Sequence, residues 1–270
     1  MPEHTVAVIG AGKIGELVIS GLLRSGWPAS RLLVTARRAA RGAELADRYG
    51  VSVVDNAEAV VRADILAIAV KPQDAAALLD EVGAKVPAGK LVVSLCAGLP
   101  TSFFAARLPE GTPVVRVMTN TPALVDQAMT AISAGPHANG EHLAIAEEMF
   151  KPLGVTLRVP ESQQDAVTAL SGSGPAYFYL LVEAMIDAGI LLGLPRQVAH
   201  ELIVQTAIGS AVMLRDSGEH PVKLREAVTS PAGTTISAIR ELEKHGVRAA
   251  LLAALEAARD RAQQIAGEMR

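Results

Sequence analysis

The residues best placed to do chemistry near the start of the chain are three glycines, spaced G-x-G-x-x-G within Val6-Ala7-Val8-Ile9-Gly10-Ala11-Gly12-Lys13-Ile14-Gly15. The spacing alone is a weak signal. It becomes meaningful where a strand leads in and a helix leads out, and here four apolar residues precede it and a helix-forming stretch follows. Gly10 permits the tight turn, Gly12 lets backbone approach a pyrophosphate, and Gly15 allows a helix to pack close to a strand. The helix that opens there offers unpaired N–H groups and the positive end of its dipole to an anion. Ile9, Gly10, Ala11, Gly12, Lys13, Ile14 and Gly15 are therefore expected to cradle a dinucleotide.

The next apolar run bears on which dinucleotide. An NAD site places Asp or Glu about 20 residues beyond the loop to hold the ribose hydroxyls. Here that place reads Val34-Thr35-Ala36-Arg37-Arg38, and no acid occurs between Glu16 and Glu44. Arg31, Arg37, Arg38 and Arg41 cluster instead. A 2′-phosphate is repelled by an acid and held by arginine, so the expected cofactor is NADP, with NADPH preferred over NADH through Arg37 and Arg38. The alternative for these arginines is a solvated basic patch.

Three further segments carry polar or reactive groups. Ala69-Val70-Lys71-Pro72 and Ser94-Leu95-Cys96-Ala97-Gly98 follow apolar runs, where open α/β sheets bind ligands. Lys71 reads equally as a phosphate or nicotinamide contact and as an exposed lysine, and Cys96 reads as a small buried side chain, since no partner base is evident. Ser230-Pro231-Ala232-Gly233-Thr234-Thr235 combines hydroxyls and free N–H groups with little bulk ahead of a helical stretch, which suits a carboxylate. On residue type alone, its plainer reading is a helix N-cap with Thr234 or Thr235 as the capping residue. His4, His137, His142, His200, His220 and His245 sit in no catalytic motif and read as surface residues, and no metal site is expected.

These segments need a scaffold. Short β-rich runs fall at residues 5–10, 32–35, 65–70, 91–95, 114–118 and 156–159, with helical stretches between most of them. One helix spans 12–25; another follows Asp55, which with Glu58 forms a capping-box pattern. Such alternation predicts a Rossmann-type doubly wound α/β fold, its mainly parallel sheet covered on both faces. After Pro160 the strands stop, Ser162 is a candidate helix cap with Asp165 in the first turn, and the remainder reads as helices broken at Gly193-Leu194-Pro195, Ser217-Gly218 and Pro231-Ala232-Gly233. The expected division is residues 1–160 and an all-helical 161–270. Ala199, Leu202, Ile203, Thr206, Ala207, Ser210, Ala211 and Leu214 form one helical stripe, fit to pack within the chain or against a second subunit.

Composition removes whole classes. Half of the 270 residues are apolar, net charge is -3 and aromatics are 3%, which gives neither charge nor stacking surface for nucleic acid, and no charge for an anionic membrane. The run 177–194 is interrupted by Glu183 and Asp187 and reads as a buried helix of a soluble protein. A single cysteine excludes an internal disulfide and, with no basic leader evident, fits the cytoplasm.

Four segments beyond the glycine loop then resemble the pyrroline-5-carboxylate reductases. They are Ala69-Val70-Lys71-Pro72; Arg116-Val117-Met118-Thr119-Asn120-Thr121-Pro122; Leu170-Ser171-Gly172-Ser173-Gly174-Pro175-Ala176-Tyr177; and Val228-Thr229-Ser230-Pro231-Ala232-Gly233-Thr234-Thr235. The likeness runs from the N-terminus to about Glu243. It implies NADPH-dependent reduction of 1-pyrroline-5-carboxylate to L-proline, the last step of proline biosynthesis. It also implies a homodimer or larger homo-oligomer built through the helical domain. By position, Ser230, Gly233 and Thr234 would bind the substrate carboxylate, Thr235 would hydrogen-bond the ring nitrogen as the catalytic residue, Glu161 would lie near substrate, and Asn56, Cys96 and Ala97 would lie on the cofactor side with residues 69–72. Two positions depart from the family pattern: Ala232 stands where a second Gly is commonest, and Thr119 where Pro is frequent.

Two rivals are weighed against this. A β-hydroxyacid dehydrogenase would carry a catalytic Lys on its long central helix, and no Lys lies between Lys151 and Lys223. A non-catalytic NADP-binding scaffold or redox sensor is compatible with the glycine loop but leaves the intact loop from Ser230 to Thr235 without a purpose.

Overall fold

The computed structural model describes residues 4–268, which fall into two compact units: one comprises the residues up to Ser173 together with those from Ala257 on, and the other is Gly174–Glu256. The first unit is built on an eight-stranded sheet. Its strands are β1 (Val6–Ile9), β2 (Leu32–Thr35), β3 (Ser52–Val53), β4 (Ile65–Ile68), β5 (Leu91–Ser94), β6 (Val114–Met118), β7 (Ala128–Ala134) and β8 (Gly154–Arg158), in the order β3-β2-β1-β4-β5-β6-β7-β8. All neighbours are parallel except β6 and β7, so the mainly parallel Rossmann-type sheet is present. The reversal of strand order beside β1 opens the crevice in which such sheets bind ligands.

Side chains alternate across a strand, and the apolar strands use both directions. Val6 and Val8 join a core with Leu17, Val18 and Leu22 of α1 (Lys13–Arg24), Leu45 of α2 (Ala39–Tyr49) and Met149 and Phe150 of α6 (Gly140–Phe150). Ala7 and Ile9 join a second core on the other face. There they meet Val60 of α3 (Asn56–Arg62), Leu78 and Leu79 of α4 (Pro72–Val82) and Phe104 of α5 (Thr101–Ala105). Asp55 caps α3 by accepting from the Glu58 amide at 2.7 Å, while the Glu58 carboxylate pairs with Arg62.

Two strands lay outside the expected set. β3 is only two residues long, and β7 is alanine-rich, with no run of β-branched residues to announce it. Ser162 does not cap a helix. It lies inside a 3-10 turn, Glu161–Gln163, that leads into the short α7 (Gln164–Val167) and a π-helical turn, Thr168–Gly172.

The second unit holds α8 (Gly174–Leu191), α9 (Arg196–Asp216), α10 (Pro221–Ala227), α11 (Thr234–Lys244) and the beginning of α12 (Val247–Glu268). The breaks fall at the expected Gly193, Gly218 and Gly233 segments. The chain itself supplies little burial here: Ile186 and Ala199 are the buried apolar side chains of this unit, while Phe178 is 67% and Leu191 89% exposed. Leu202 and Leu214 of the α9 stripe are exposed as well. One helical stretch, Glu161–Leu191, is long and apolar enough to cross a membrane by length and composition alone.

Candidate functional site

The C-terminal ends of β1, β2 and β4 surround an open cleft of about 600 Å³ in the first unit. It brings together Ile9, Gly10, Ala11, Gly12, Arg37, Arg38, Asn56, Ala69, Val70 and Lys71 of the expected cofactor residues. Thr35, Arg41, Asp55, Asp74 and Glu81 also line it. Lys13, Ile14 and Gly15 form the first turn of α1 behind the loop, and Pro72 opens α4, so none of these four lines the cleft. Cys96 and Ala97 lie beyond it on the β5 loop.

The glycine loop has the geometry of a cradle. The Gly10 φ of +89° is a left-handed conformation, and a Cβ there would lie 2.5 Å from Val70 Cγ1 and 2.8 Å from Val70 N. A Cβ on Gly15 would lie 2.8 Å from the Gly10 carbonyl oxygen, so the loop and α1 also meet in close contact. Gly12 differs: a Cβ there would meet nothing within 4 Å, and no side chain caps α1. The first amides of that helix therefore face an open, uncapped space of the kind a pyrophosphate fills.

The arginines divide into two kinds. Arg41 is tied down: its Nε donates to the Ala11 carbonyl oxygen at 3.2 Å, and its guanidinium pairs with Glu16 and with Glu44. Burial pushes the Glu16 carboxyl up, but hydrogen bonds from Arg41 and Tyr49 outweigh it and hold Glu16 below the usual carboxylate range. Arg37 and Arg38 remain exposed at the end of β2, with Arg37 NH1 3.8 Å from Asp74. Arg31 sits in the turn before β2 and does not line the cleft.

Cys96 is 2% exposed, with its Sγ 3.4 Å from the Val70 carbonyl oxygen. Burial pushes its thiol up to about 12, which makes it inert as a nucleophile. Asn56 opens α3 and donates to the Glu81 carboxylate at 3.2 Å.

Glu161 is fully engaged. Thr101 donates to it from both backbone N and hydroxyl at 2.6 Å, and Arg116 NH1 stands 3.7 Å away. Arg116, with its side chain 6% exposed on β6, also pairs with Asp165 at 3.1 Å. Asn120 of the second resembling segment donates to the Ser171 carbonyl oxygen of the third at 3.1 Å. Thr119, where Pro is frequent, is bonded to Thr130 at 2.9 Å.

In the second unit, Gly233 is the N-cap of α11 and no side chain caps the helix. Thr234 and Thr235 are its first two residues rather than its caps, so the N-cap reading of their hydroxyls is excluded and the first-turn amides are available to an anion. A Cβ on Gly233 would lie 2.4 Å from Ser230 Oγ, which fixes the loop's tightness. Ala232 has φ +54°, a left-handed conformation that explains why glycine suits this position. Ala232→Gly is expected to raise stability by about 0.5–1 kcal/mol, the relief of left-handed strain less the extra freedom of the unfolded chain. A denaturant midpoint lower than that of the parent would contradict it.

Two histidines have structural work. His142 Nδ1 accepts from Asn139 N in the capping box of α6, and His220 accepts from Val222 N as the N-cap of α10.

Residues 161–265 match the family described as pyrroline-5-carboxylate reductase dimerisation, and residues 5–98 the family described as NADP oxidoreductase coenzyme F420-dependent. The chain is 42% identical, over 97% of its length and 98% of the relative's, to a pyrroline-5-carboxylate reductase of Corynebacterium melassecola. A solved pyrroline-5-carboxylate reductase from Coxiella burnetii aligns with a TM-score of 0.90 at 32% identity, covering 98% of this chain and 99% of that one. A pyrroline carboxylate reductase from Plasmodium falciparum, solved with NADP bound, aligns with a TM-score of 0.89 at 27% identity over 98% and 99% of the two chains.

Proposed function

The chain belongs to the pyrroline-5-carboxylate reductase family, and we propose on that premise that it reduces the C=N bond of 1-pyrroline-5-carboxylate to give L-proline, closing proline biosynthesis. The observation that carries the reading is this full-length likeness, met by an open, uncapped glycine loop where a dinucleotide fits. The cofactor, when bound, supplies the hydride. The chain supplies position and charge. The loop from Gly10 to Gly12, at the start of α1, would hold the pyrophosphate, with residues 69–71 on the facing wall and Asn56 beside it. Cys96 and Ala97 shape the neighbouring β5 loop.

Ser230, Gly233 and Thr234 hold the substrate carboxylate at the start of α11, and Thr235 orients the ring nitrogen by a hydrogen bond. A protonated imine is already electrophilic, so a strong general acid is dispensable, in keeping with histidines that sit in no catalytic motif, two of them helix caps. Glu161 acts by holding the start of α5 and the buried Arg116 rather than by a free carboxylate. The helical region, residues 161–270, serves substrate binding and assembly; its exposed apolar faces are covered in a homo-oligomer, and the enzyme works in the cytoplasm.

NADPH is the preferred cofactor, through Arg37 and Arg38. Charge-assisted bonds to a 2′-phosphate contribute about 1.5–3 kcal/mol each. Arg37→Ala with Arg38→Ala is expected to lower kcat/KM for NADPH by roughly tenfold or more while NADH is spared. Initial rates with both cofactors check this, and equal losses would refute the assignment. The activity itself is tested by oxidation of NADPH in the presence of five- and six-membered cyclic imino acids. Absence of turnover with the five-membered ring, with either cofactor, would overturn the reading.

A further inference from the structure

We infer that Asp74 tunes cofactor specificity, competing with the 2′-phosphate for Arg37 and so holding NADPH discrimination below what the two exposed arginines would give. The inference rests on the cleft being the dinucleotide site.

Asp74 lies in the first turn of α4, and Arg37 follows β2. The two residues belong to different walls of one cleft and meet at 3.8 Å. The Arg37 side chain is 85% exposed and the Asp74 side chain 42%, so the pair is open to ligand and to solvent. The other cleft carboxylates have different partners. Asp55 accepts from the Glu58 amide, and Glu81 accepts from Asn56. Arg41, the remaining arginine of the lining, is engaged by Glu16, Glu44 and the Ala11 carbonyl. The charge balance around an incoming 2′-phosphate therefore turns on Arg37, Arg38, Lys71 and Asp74, and among these the pair that meets is Arg37 and Asp74.

A 2′-phosphate seated on Arg37 would face the Asp74 carboxylate well within the ~8 Å over which charges act at physiological salt. It has to draw the guanidinium away from that carboxylate and then bear the repulsion of the unpaired acid. NADH, with a ribose hydroxyl in place of the phosphate, meets neither penalty. A dinucleotide site selective for NADH puts its acid at the end of the second strand. Here arginines occupy that end and the acid comes from the first turn of α4 on the other side of the cleft.

The test is a two-by-two comparison of the full-length enzyme: parent, Asp74→Asn, Arg37→Ala and the double variant, each with initial rates for NADPH and NADH against the five-membered imino acid. Asp74→Asn is expected to raise the NADPH-to-NADH ratio of kcat/KM about threefold, the scale of an exposed ion pair, chiefly as a lower KM for NADPH. In the Arg37→Ala background the same substitution is expected to raise the ratio distinctly less, because the competition for the guanidinium is gone and only the direct repulsion of the acid remains. A ratio that stays level or falls on Asp74→Asn overturns the inference, and so does an equal rise in both backgrounds. Should Asp74→Asn fail to fold, Asp74→Ser makes the same comparison with a residue well tolerated in a first helical turn. A parent that oxidises neither cofactor would instead sink the functional reading, so the two failures are told apart.

Discussion

Gly10→Ala is expected to abolish measurable NADPH binding and to lower the thermal unfolding midpoint by about 10 °C, on the scale of a few kcal/mol for a chain of this size. The reason is geometric. At φ +89° an L-residue is strained, and its Cβ would lie 2.5 Å from Val70 Cγ1, 2.8 Å from Val70 N and 3.0 Å from Val70 Cα. A side chain can rotate away from such a contact; the backbone of Val70 cannot, because the adjoining Ala69 N is bonded to the Ile9 carbonyl at 2.8 Å. Left-handed strain and overpacking together amount to roughly 2–5 kcal/mol. The displaced atoms also line the cleft, so the same movement spoils the cradle.

Gly12→Ala separates the two effects. Gly12 has φ -77°, and its Cβ would meet nothing within 4 Å, so the fold is expected to keep its midpoint while the new methyl stands in the space proposed for the pyrophosphate. Thermal melts and fluorescence titration with NADPH read both variants. A Gly10→Ala protein with parental affinity and a midpoint within about 2 °C of the parent would show that the loop is not clamped as described.

The parts of this molecule that were legible from residue order are those in which local pattern and final environment agree. β1, β2, β4, β5 and β6 are apolar runs buried on both faces, and the glycine loop announces itself because its backbone demands are local. β7 was hidden because alanine is a poor strand former. It is held by its neighbours, antiparallel to β6 and parallel to β8, which no short window contains. Charge partners were hidden for the same reason. Arg41 looks like its neighbours in sequence, yet its guanidinium is paired with Glu16, on the helix that follows the glycine loop, and with Glu44. Glu161 sits beside Thr101 and Arg116 only because β6 and the turn after β8 end near α5. The expected burial of the apolar run in α8 is not supplied by its own chain: Phe178 and Leu191 stay exposed, and a single sequence does not spell out what covers them.

The Ser230 loop shows how much a single position can carry. Thr235→Ala is expected to lower kcat/KM at least tenfold, about 1.4 kcal/mol of transition-state stabilisation, while NADPH binds with parental affinity. Folding does not confound the result. Gly233 is the N-cap of α11, so the Thr235 hydroxyl is not needed to start the helix, and alanine has the higher helix propensity by about 0.5 kcal/mol. The first-turn amides proposed to hold the carboxylate are backbone groups and survive the substitution. What disappears is one hydroxyl and one methyl at the second residue of the helix. If that hydroxyl holds the ring nitrogen most strongly as hydride arrives, the loss falls on kcat; if it holds substrate and transition state alike, KM rises instead. Thr235→Ser, which keeps the oxygen and drops the methyl, is expected to restore most of the rate. A Thr235→Ala enzyme turning over within twofold of the parent would take the hydroxyl out of the chemistry and leave the first-turn amides of α11 as that helix's whole proposed contribution.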